Sequence, residues 1–262
     1  MKKKSLIISI AGTKITLFIY NRLMYEKIKN RYQKYLRKHN SNPIQIECRF
    51  TKRPLANNSK LEVIRTAIGY KIMRNDLHFT LRHNQGKLFL TPSVYAFDAF
   101  LRVFYSSFLP DNNALLLHSS GIVYKNKAYV FSGPSGAGKT TITRLLNKKT
   151  LNDEIVALKI VKNKHGSTVA VYATPFWGEM GSGPDFQPEF KLASVFFLEK
   201  DYITRKELLS VEEALPKFMR CCCFFEKNTK QTNKMMNLAI EFITNLSVYK
   251  LYFALDIKIS DL

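Results

Sequence analysis

The sequence predicts an α/β fold with a mixed sheet for the C-terminal part of the chain and an α+β arrangement for the N-terminal part. Short apolar segments bounded by turn residues predict strands, and apolar residues at helical spacing predict helices between them. The segment LPDNN breaks the pattern near residue 110. We therefore divide the chain into residues 1–110 and residues 111–262.

The N-terminal part alternates short strands with two helices. Residues 5–10 and 15–20 are β-rich and flank the turn AGTK, which predicts a hairpin. A basic helix is predicted over residues 23–36, and an aromatic-rich packing helix over residues 94–108. Further short strands are predicted at residues 44–50, 70–73, 77–81 and 87–90.

The C-terminal part begins with two apolar strands, ALLLHSSGIVY and KAYVFSG, around the turn KNK. A short helix at residues 140–147 follows the second strand. The remaining elements are predicted as strands at 155–161, 168–173 and 193–198, helices at 211–225 and 233–246, and a closing strand at 248–254. The turn NKHGS makes antiparallel neighbours of the first two of these strands.

The chain is strongly basic. It contains 41 Lys and Arg residues against 20 Asp and Glu residues, which gives a net charge of +21. Residues 1–74 hold 18 of the basic residues and three of the acidic ones. This charge is compatible with nucleic acid, anionic lipid or an acidic protein or peptide, and a solvated basic face explains it equally well. We favour a protein or peptide partner, and the sequence leaves a homo-oligomer open.

Three features predict a cytoplasmic protein. The cysteines, Cys48 and the run 221–223, lack the spacing of a zinc site and are interpreted as buried thiols in a reducing compartment. The N-terminal apolar stretch is interrupted at residues 12–14 and no cleavage pattern follows, which favours a hairpin over a signal peptide. No uninterrupted apolar run reaches the roughly 18 residues that a membrane-spanning helix needs.

Residues 133–140, GPSGAGKT, match the Walker A pattern G-x-x-x-x-G-K-[ST] in full, between a predicted strand and a predicted helix. Glycines let successive backbone amides turn inward, and the helix N-terminus adds about half a positive charge. The motif therefore predicts a site for a nucleoside triphosphate, ATP with Mg²⁺. The residues expected to bind it are Gly133, Pro134, Ser135, Gly136, Ala137, Gly138, Lys139, Thr140 and Thr141.

Particular roles follow from the residue types. Lys139 is expected to reach the β- and γ-phosphates, and the Thr140 hydroxyl to bind Mg²⁺. The next acids are Asp153 and Glu154, and Asp153 lies only 14 residues beyond Lys139. Either carboxylate can hold Mg²⁺, and Asp153 can instead accept a proton from an attacking hydroxyl. The alternative is that residues 152–154 form a polar turn that caps the next strand.

The stretch LHSSGIVYKNKAYVFSGPSGAGKTTITRLLNKKTLNDEIVAL, which starts at Leu117, resembles the catalytic domain of HPr kinase/phosphorylase. The phosphoenolpyruvate carboxykinases of the same superfamily carry a similar loop and a later acidic cluster. The resemblance implies a phosphate-loop mixed sheet of this type and a kinase activity.

Carried over by position, the resemblance implies that His118 lies near the reacting phosphate and that Asp153 activates the acceptor or binds the metal. A core or turn histidine explains His118 equally well. Glu179, in TPFWGEMG, corresponds to a family glutamate before a substrate loop and is a further candidate metal ligand. The paired aspartates of the kinase are here Asn152 and Asp153, which makes reversal by inorganic phosphate doubtful.

The stretch TPFWGEMGSGPDFQPEF is rich in Gly and Pro and predicts irregular structure. Beside a nucleotide site, a mobile loop of this kind commonly closes over the acceptor and excludes water. A surface loop without function is the alternative.

The sequence favours a kinase that transfers the γ-phosphoryl group of ATP to a Ser or Thr hydroxyl of a protein or peptide. The alternatives are a carboxykinase-like enzyme for a small organic acid and a non-catalytic ATP-binding regulatory module. Conventional GTPases and ABC-type ATPases are disfavoured because N-K-x-D and L-S-G-G-Q sequences are absent. No apolar strand far downstream ends in the Asp of a Walker B motif.

Overall fold

A computed structural model describes residues 3–38, 44–55, 59–164, 166–179 and 189–262. Within these ranges the chain forms two mixed sheets and five α-helices, so the mixed α/β class predicted from the sequence is confirmed. The residues group into two compact units. The first comprises Met1–Phe108 and Phe224–Thr232, and the second comprises Leu109–Cys223 and Asn233–Leu262.

The first unit is built on a seven-stranded sheet in the order β1-β2-β3-β7-β6-β5-β4. Strands β2, β3 and β7 run parallel, and the other neighbours are antiparallel. The elements are β1 (Lys4–Ile10), β2 (Thr13–Ile19), α1 (Arg22–Tyr32), β3 (Ile44–Phe50), β4 (Glu62–Thr66), β5 (Gly69–Arg74), β6 (Leu77–Arg82), β7 (Gln85–Leu90) and α2 (Val94–Phe108).

Helix α2 supplies an aromatic core to this unit. Phe97, Phe100 and Phe104 are fully buried, and Phe100 lies 4.9 Å from Phe79 of β6 between ring centroids. The apolar side chains of α2 cover more than one narrow stripe, as the sequence predicts for a packing helix. Strand β4 was not predicted, because its five residues, EVIRT, lie at a half-exposed sheet edge and show no strict alternation of polar and apolar residues.

The second unit is built on an eight-stranded sheet. Its path is β10-β8-β11-β12-β13-β15-β14, and β9 pairs with both β8 and β13. The elements are β8 (Ala114–Tyr124), β9 (Lys127–Ser132), α3 (Lys139–Leu146), β10 (Lys149–Asn152), β11 (Ile155–Asn163), β12 (Gly166–Ala173), β13 (Glu189–Lys200), β14 (Arg205–Leu208), α4 (Val211–Cys221), α5 (Thr229–Thr244) and β15 (Ser247–Phe253).

Strand β9 lies where the candidate site is built. It is antiparallel to β8 and parallel to β13, which is in turn parallel to β15. Parallel strands end at the same edge of a sheet, so the carboxyl ends of these three strands meet there. In α/β sheets this edge is where ligands commonly bind.

Several element bounds differ from the predictions for physical reasons. The helix predicted over 211–225 ends at Cys221, because Cys222 turns extended and bridges to Leu117, and the Cys223 amide donates to the Leu116 carbonyl. The edge strands β10 and β14 have only four residues each and were not predicted. Of the loop predicted over 174–190, residues 180–188 lie outside the described ranges.

No helix in the described ranges is both long and apolar enough to span a bilayer.

Candidate functional site

The motif residues form a loop between the end of β9 and the start of α3. Gly136 and Gly138 have φ angles of +80° and +100°, which side chains rarely permit. A Cβ atom on Gly138 would lie 2.6 Å from Cζ of Phe253, whereas one on Gly136 would meet nothing within 4 Å. Position 136 therefore needs glycine for conformation alone, and position 138 needs it for conformation and space.

The loop presents backbone amides that the described part of the protein leaves without a hydrogen bond. The amides of Ser135, Gly136 and Gly138 make no hydrogen bond to any residue in the described ranges. Helix α3 then begins at Lys139 without a side-chain cap, which leaves the amides of its first turn open. Unpaired amides at a helix N-terminus attract anions.

The Lys139 ammonium group lies against the first residues of the loop. Its Nζ atom donates to the carbonyl oxygens of Gly133, at 3.0 Å, and Pro134, at 3.2 Å. Burial lowers the pKa of Lys139 below its ordinary value, and the neighbouring Cys221 opposes this shift. The positive charge is thus held beside residues 133 and 134.

Cys221, the last residue of α4, contacts the same part of the loop. Burial raises the pKa of its thiol, while the backbone amide of Gly133, the charge of Lys139 and the Ser132 hydroxyl act in the opposite direction. The sequence analysis interpreted this cysteine only as a buried thiol. Its place beside the loop is decided by how α4 packs.

Hydrogen bonds of buried hydroxyl groups join helix α3 to strand β8. Ser120 Oγ donates to the carbonyl oxygen of Lys139 at 3.0 Å. Thr143 Oγ1 lies 3.0 Å from Ser120 Oγ and 2.9 Å from the same carbonyl. These contacts fix the first turn of α3 relative to the sheet and therefore fix the direction of its amides.

Asp153 and Glu154 lie in the turn between β10 and β11, at the same edge of the sheet as the loop. The Glu154 carbonyl accepts a hydrogen bond from the Ser119 amide, and Ser119 pairs with Ser132, the residue before the loop. The turn and the end of β9 are thus separated by β8 alone. At about 4.8 Å between adjacent strands, their backbones are roughly 10 Å apart.

The Asp153 side chain is buried, and its Oδ1 atom accepts a hydrogen bond from the Gly178 amide at 2.9 Å. This bond ties the carboxylate to the start of the segment that the sequence predicts to be irregular. A Cβ atom on Gly178 would lie 3.1 Å from Asp153 Oδ2, so the glycine allows a close approach.

Asn152 has the structural role that the alternative interpretation of residues 152–154 predicts, a polar turn that caps the next strand. Its Oδ1 atom accepts hydrogen bonds from the amides of Glu154, at 2.8 Å, and Ile155, at 3.0 Å. Its Nδ2 atom donates to the Thr174 carbonyl at 3.0 Å. The fully buried amide therefore holds the turn in shape, and an aspartate would have no proton to give to Thr174.

A cavity of about 450 Å³ opens beside the first residues of the loop. His118 of β8 lines it with an exposed side chain, so the structure brings this predicted residue to the loop. Asp153 is not among the residues that line the cavity. The lining residues are His118, Gly133, Pro134, Ser135, Phe197, Leu198, Glu199, Lys217, Arg220 and Cys221.

A second cavity, of about 460 Å³, lies at the opposite end of the loop. Thr141 lines it, together with the ends of β13 and β15. Tyr202 stands at this cavity with 99% of its surface exposed, and Phe253 is buried against Gly138. The loop therefore has an accessible cavity at each end.

The remaining candidate metal ligands lie in separate parts of the site. Thr140 is half-buried in the first turn of α3, and Glu154 is half-buried beside Gly178. Glu179 is exposed and forms an ion pair with Arg144 of α3 at 3.3 Å. In the part of the chain that the structure describes, no group of three or more His, Cys, Asp or Glu side chains is placed to hold a metal ion.

No family model matches this chain, and no curated protein matches it.

Proposed function

We propose that this protein is an ATP-dependent kinase, similar to HPr kinase, that transfers the γ-phosphoryl group of ATP to a Ser or Thr hydroxyl of a protein or peptide. One observation carries the proposal. The open amides of residues 135, 136 and 138 and of the uncapped first turn of α3 surround the end of β9, with the Lys139 ammonium beside them.

These groups fit a polyphosphate chain and Mg²⁺. Amide donors accommodate phosphate oxygens at close range, and the two positive-φ glycines permit the required approach. Thr140 would hold Mg²⁺ together with Asp153 or Glu154 and the phosphates, so few protein ligands are needed. The metal would supply charge neutralisation at the β- and γ-oxygens.

The position of Lys139 also supports one orientation of the bound nucleotide along the loop. In loops of this type the lysine serves the β- and γ-phosphates. Because its Nζ atom lies at the carbonyls of Gly133 and Pro134, the terminal phosphate belongs at the cavity that His118 lines. The nucleoside then belongs at the opposite cavity, beside Thr141 and the exposed ring of Tyr202.

Transfer requires an acceptor oxygen in line with the terminal phosphorus. A new bond forms from this oxygen to the γ-phosphorus, the bond to the β-bridging oxygen breaks, and ADP leaves. The hydroxyl proton passes to a base, for which Asp153 is the candidate, and Asp153 is alternatively a metal ligand. His118, which is exposed in the cavity, would contact the reacting phosphate there.

A second candidate function is an ATP-binding regulatory module without transfer. Two observations favour it: Asn152 occupies a position where the kinase family has a carboxylate, and Asp153 does not line the cavity. A carboxykinase-like activity on a small organic acid has no specific contact in its favour.

Labelled ATP and a library of Ser- and Thr-containing peptides distinguish these functions. We expect transfer by the wild type, loss of transfer in Asp153→Asn with ATP affinity within about tenfold, and loss of ATP binding in Lys139→Ala. Glu207→Gln, on the exposed strand β14, serves as the control. ATP binding without transfer to any acceptor supports the regulatory module, and unchanged ATP binding in Lys139→Ala removes both functions.

A further inference from the structure

Two cations of α4 line the cavity at the first residues of the loop. Lys217 is half-buried and Arg220 is exposed, and both contribute to the cavity wall. The buried side chains of Ala214, Phe218 and Cys221 hold this helix against the rest of the unit. Because Cys221 touches the loop at Gly133, the turn that carries Lys217 and Arg220 is held at the cavity.

The charges of these two residues are not used by the described part of the protein. Neither Lys217 nor Arg220 forms an ion pair or a hydrogen bond with a described side chain. The acidic residue that lines the cavity, Glu199, is paired with Lys250 at 3.1 Å. The cavity therefore carries excess positive charge in addition to that of Lys139.

The nucleotide does not need this additional charge. In the proposed orientation, its terminal phosphate is served by Lys139, the loop amides and Mg²⁺. Lys217 and Arg220 belong to a separate helix, α4, on the wall of the cavity in which the proposed orientation puts the terminal phosphate and hence the acceptor hydroxyl. Arginine and lysine at such positions bind carboxylates and phosphates.

We propose that Lys217 and Arg220 bind an acidic side chain of the acceptor, an Asp or Glu near the phosphorylated Ser or Thr. This proposal rests on the kinase function and names the substrate class of the same site. It assigns recognition of an acidic peptide to α4, whereas the distribution of charge along the sequence points to the basic N-terminal part, residues 1–110, for substrate or partner docking. The two residues position the acceptor and take no part in proton transfer.

Binding and transfer measurements together test the proposal. Ser-containing peptides with flanking Asp or Glu are compared with matched Asn or Gln peptides, on protein saturated with a non-hydrolysable ATP analogue. We expect the acidic peptides to bind at least tenfold more tightly. We expect Lys217→Gln/Arg220→Gln to lose this difference and to raise KM for acidic peptides with little change in kcat.

Controls separate recognition from folding and from nucleotide contact. Lys191→Gln, an exposed residue of β13 outside the cavity, is expected to leave the preference unchanged. Lys217→Arg and Arg220→Lys are expected to retain most of it, and thermal unfolding reports whether each variant folds. The affinities of ATP and ADP are expected to stay within about twofold in the double variant, because the two cations do not serve the nucleotide.

Three results would overturn the inference. Equal binding of acidic and amide peptides by the wild type rules it out even if transfer occurs. Retention of the acidic preference by the folded double variant rules it out as well. Weaker binding of ATP but not of ADP in the double variant would reassign both cations to the terminal phosphate. Absence of transfer with an intact acidic preference would contradict the kinase proposal alone.

Discussion

Single residues decide how closely the backbone can approach a ligand at the loop. Gly136 and Gly138 both have positive φ angles, but only Gly138 faces another side chain, the ring of Phe253. Comparing the two positions separates the cost of backbone strain from the cost of a steric clash.

We expect Gly138→Ala to destabilise the protein by about 2–4 kcal/mol, because strain at positive φ adds to a contact of 2.6 Å with Phe253. Gly136→Ala should cost only about 1–2 kcal/mol, from strain alone. Urea unfolding measures both values, and ATP affinity should fall further in Gly138→Ala. Equal losses of stability in the two variants would show that the Phe253 ring moves away from the new methyl group without a cost in free energy.

The pair Asn152 and Asp153 shows how residue type separates a structural role from a chemical one. Asn152 uses its oxygen and its nitrogen within the turn, which only an amide can do. Asp153, the next residue, is buried, and its carboxylate accepts a backbone hydrogen bond from Gly178. Asn152 therefore holds the turn in shape, and Asp153 is left as the candidate base of this turn.

Among the elements, helix α4 has a capping box at its N-terminus and lines the cavity near its C-terminus. Ser210 Oγ accepts a hydrogen bond from the Glu213 amide at 3.3 Å, and the Glu213 carboxylate accepts one from the Ser210 amide at 2.9 Å. This capping box satisfies two amides at the helix N-terminus. Pro216 lies inside the helix and has no backbone N–H, so the helix lacks one of its hydrogen bonds. The cap therefore contributes a larger share of the stability of this helix.

Ser210→Ala should lower the free energy of unfolding by about 1 kcal/mol, because the cap is lost while the buried face of α4 stays intact. Ser210→Asp retains an acceptor at the same position and should keep most of the stability. Urea unfolding monitored by circular dichroism checks both. A folded Ser210→Ala variant as stable as the wild type would mean that solvent replaces the cap without cost.

Strand β8 organises the site as an element. Its first half pairs with β11 and its second half with β9, so one strand fixes the turn of Asp153 and the loop relative to each other. The same strand presents His118 to the cavity and anchors α3 through Ser120. The candidate groups thus come together because a single continuous strand spans both pairings.

In the whole molecule, the chain passes between the two units more than once. After α4 it leaves the second unit, contributes Phe224–Thr232 to the first unit, and then returns to the second unit at Asn233. Glu226 is buried there and forms two hydrogen bonds of 2.9 Å with Arg65. The Arg65 guanidinium also donates to the Ser107 carbonyl at 2.9 Å. An ion pair of this kind specifies where the segment docks in the first unit.

We expect Glu226→Gln to destabilise the first unit by about 3 kcal/mol, because the half-buried Arg65 guanidinium loses its counter-charge. Arg65→Met/Glu226→Leu should cost less than Glu226→Gln, since no unpaired charge remains. A double-mutant cycle by urea unfolding measures the coupling. If the single substitution were neutral, the pair would contribute nothing to the docking of this segment.

Sequence patterns suffice to predict the mixed α/β class, most of the helices and strands, and the loop with its flanking strand and helix. Each of these depends on local patterns: apolar periodicity, turn residues and a contiguous motif of eight residues. Edge strands β4, β10 and β14 were missed, because segments of four or five residues carry too little local pattern and are stabilised by pairing with neighbouring strands.

The residues that meet at the loop from distant parts of the sequence could not be predicted in this way. Lys217, Arg220 and Cys221 follow the motif by about eighty residues, and nothing in their local sequence marks them as neighbours of Gly133. Their placement depends on the packing of Phe218 and on the bridge from Cys222 to β8. Local periodicity determines which face of a helix is buried, but not which element that face packs against. The packing partner depends on how the whole core is packed.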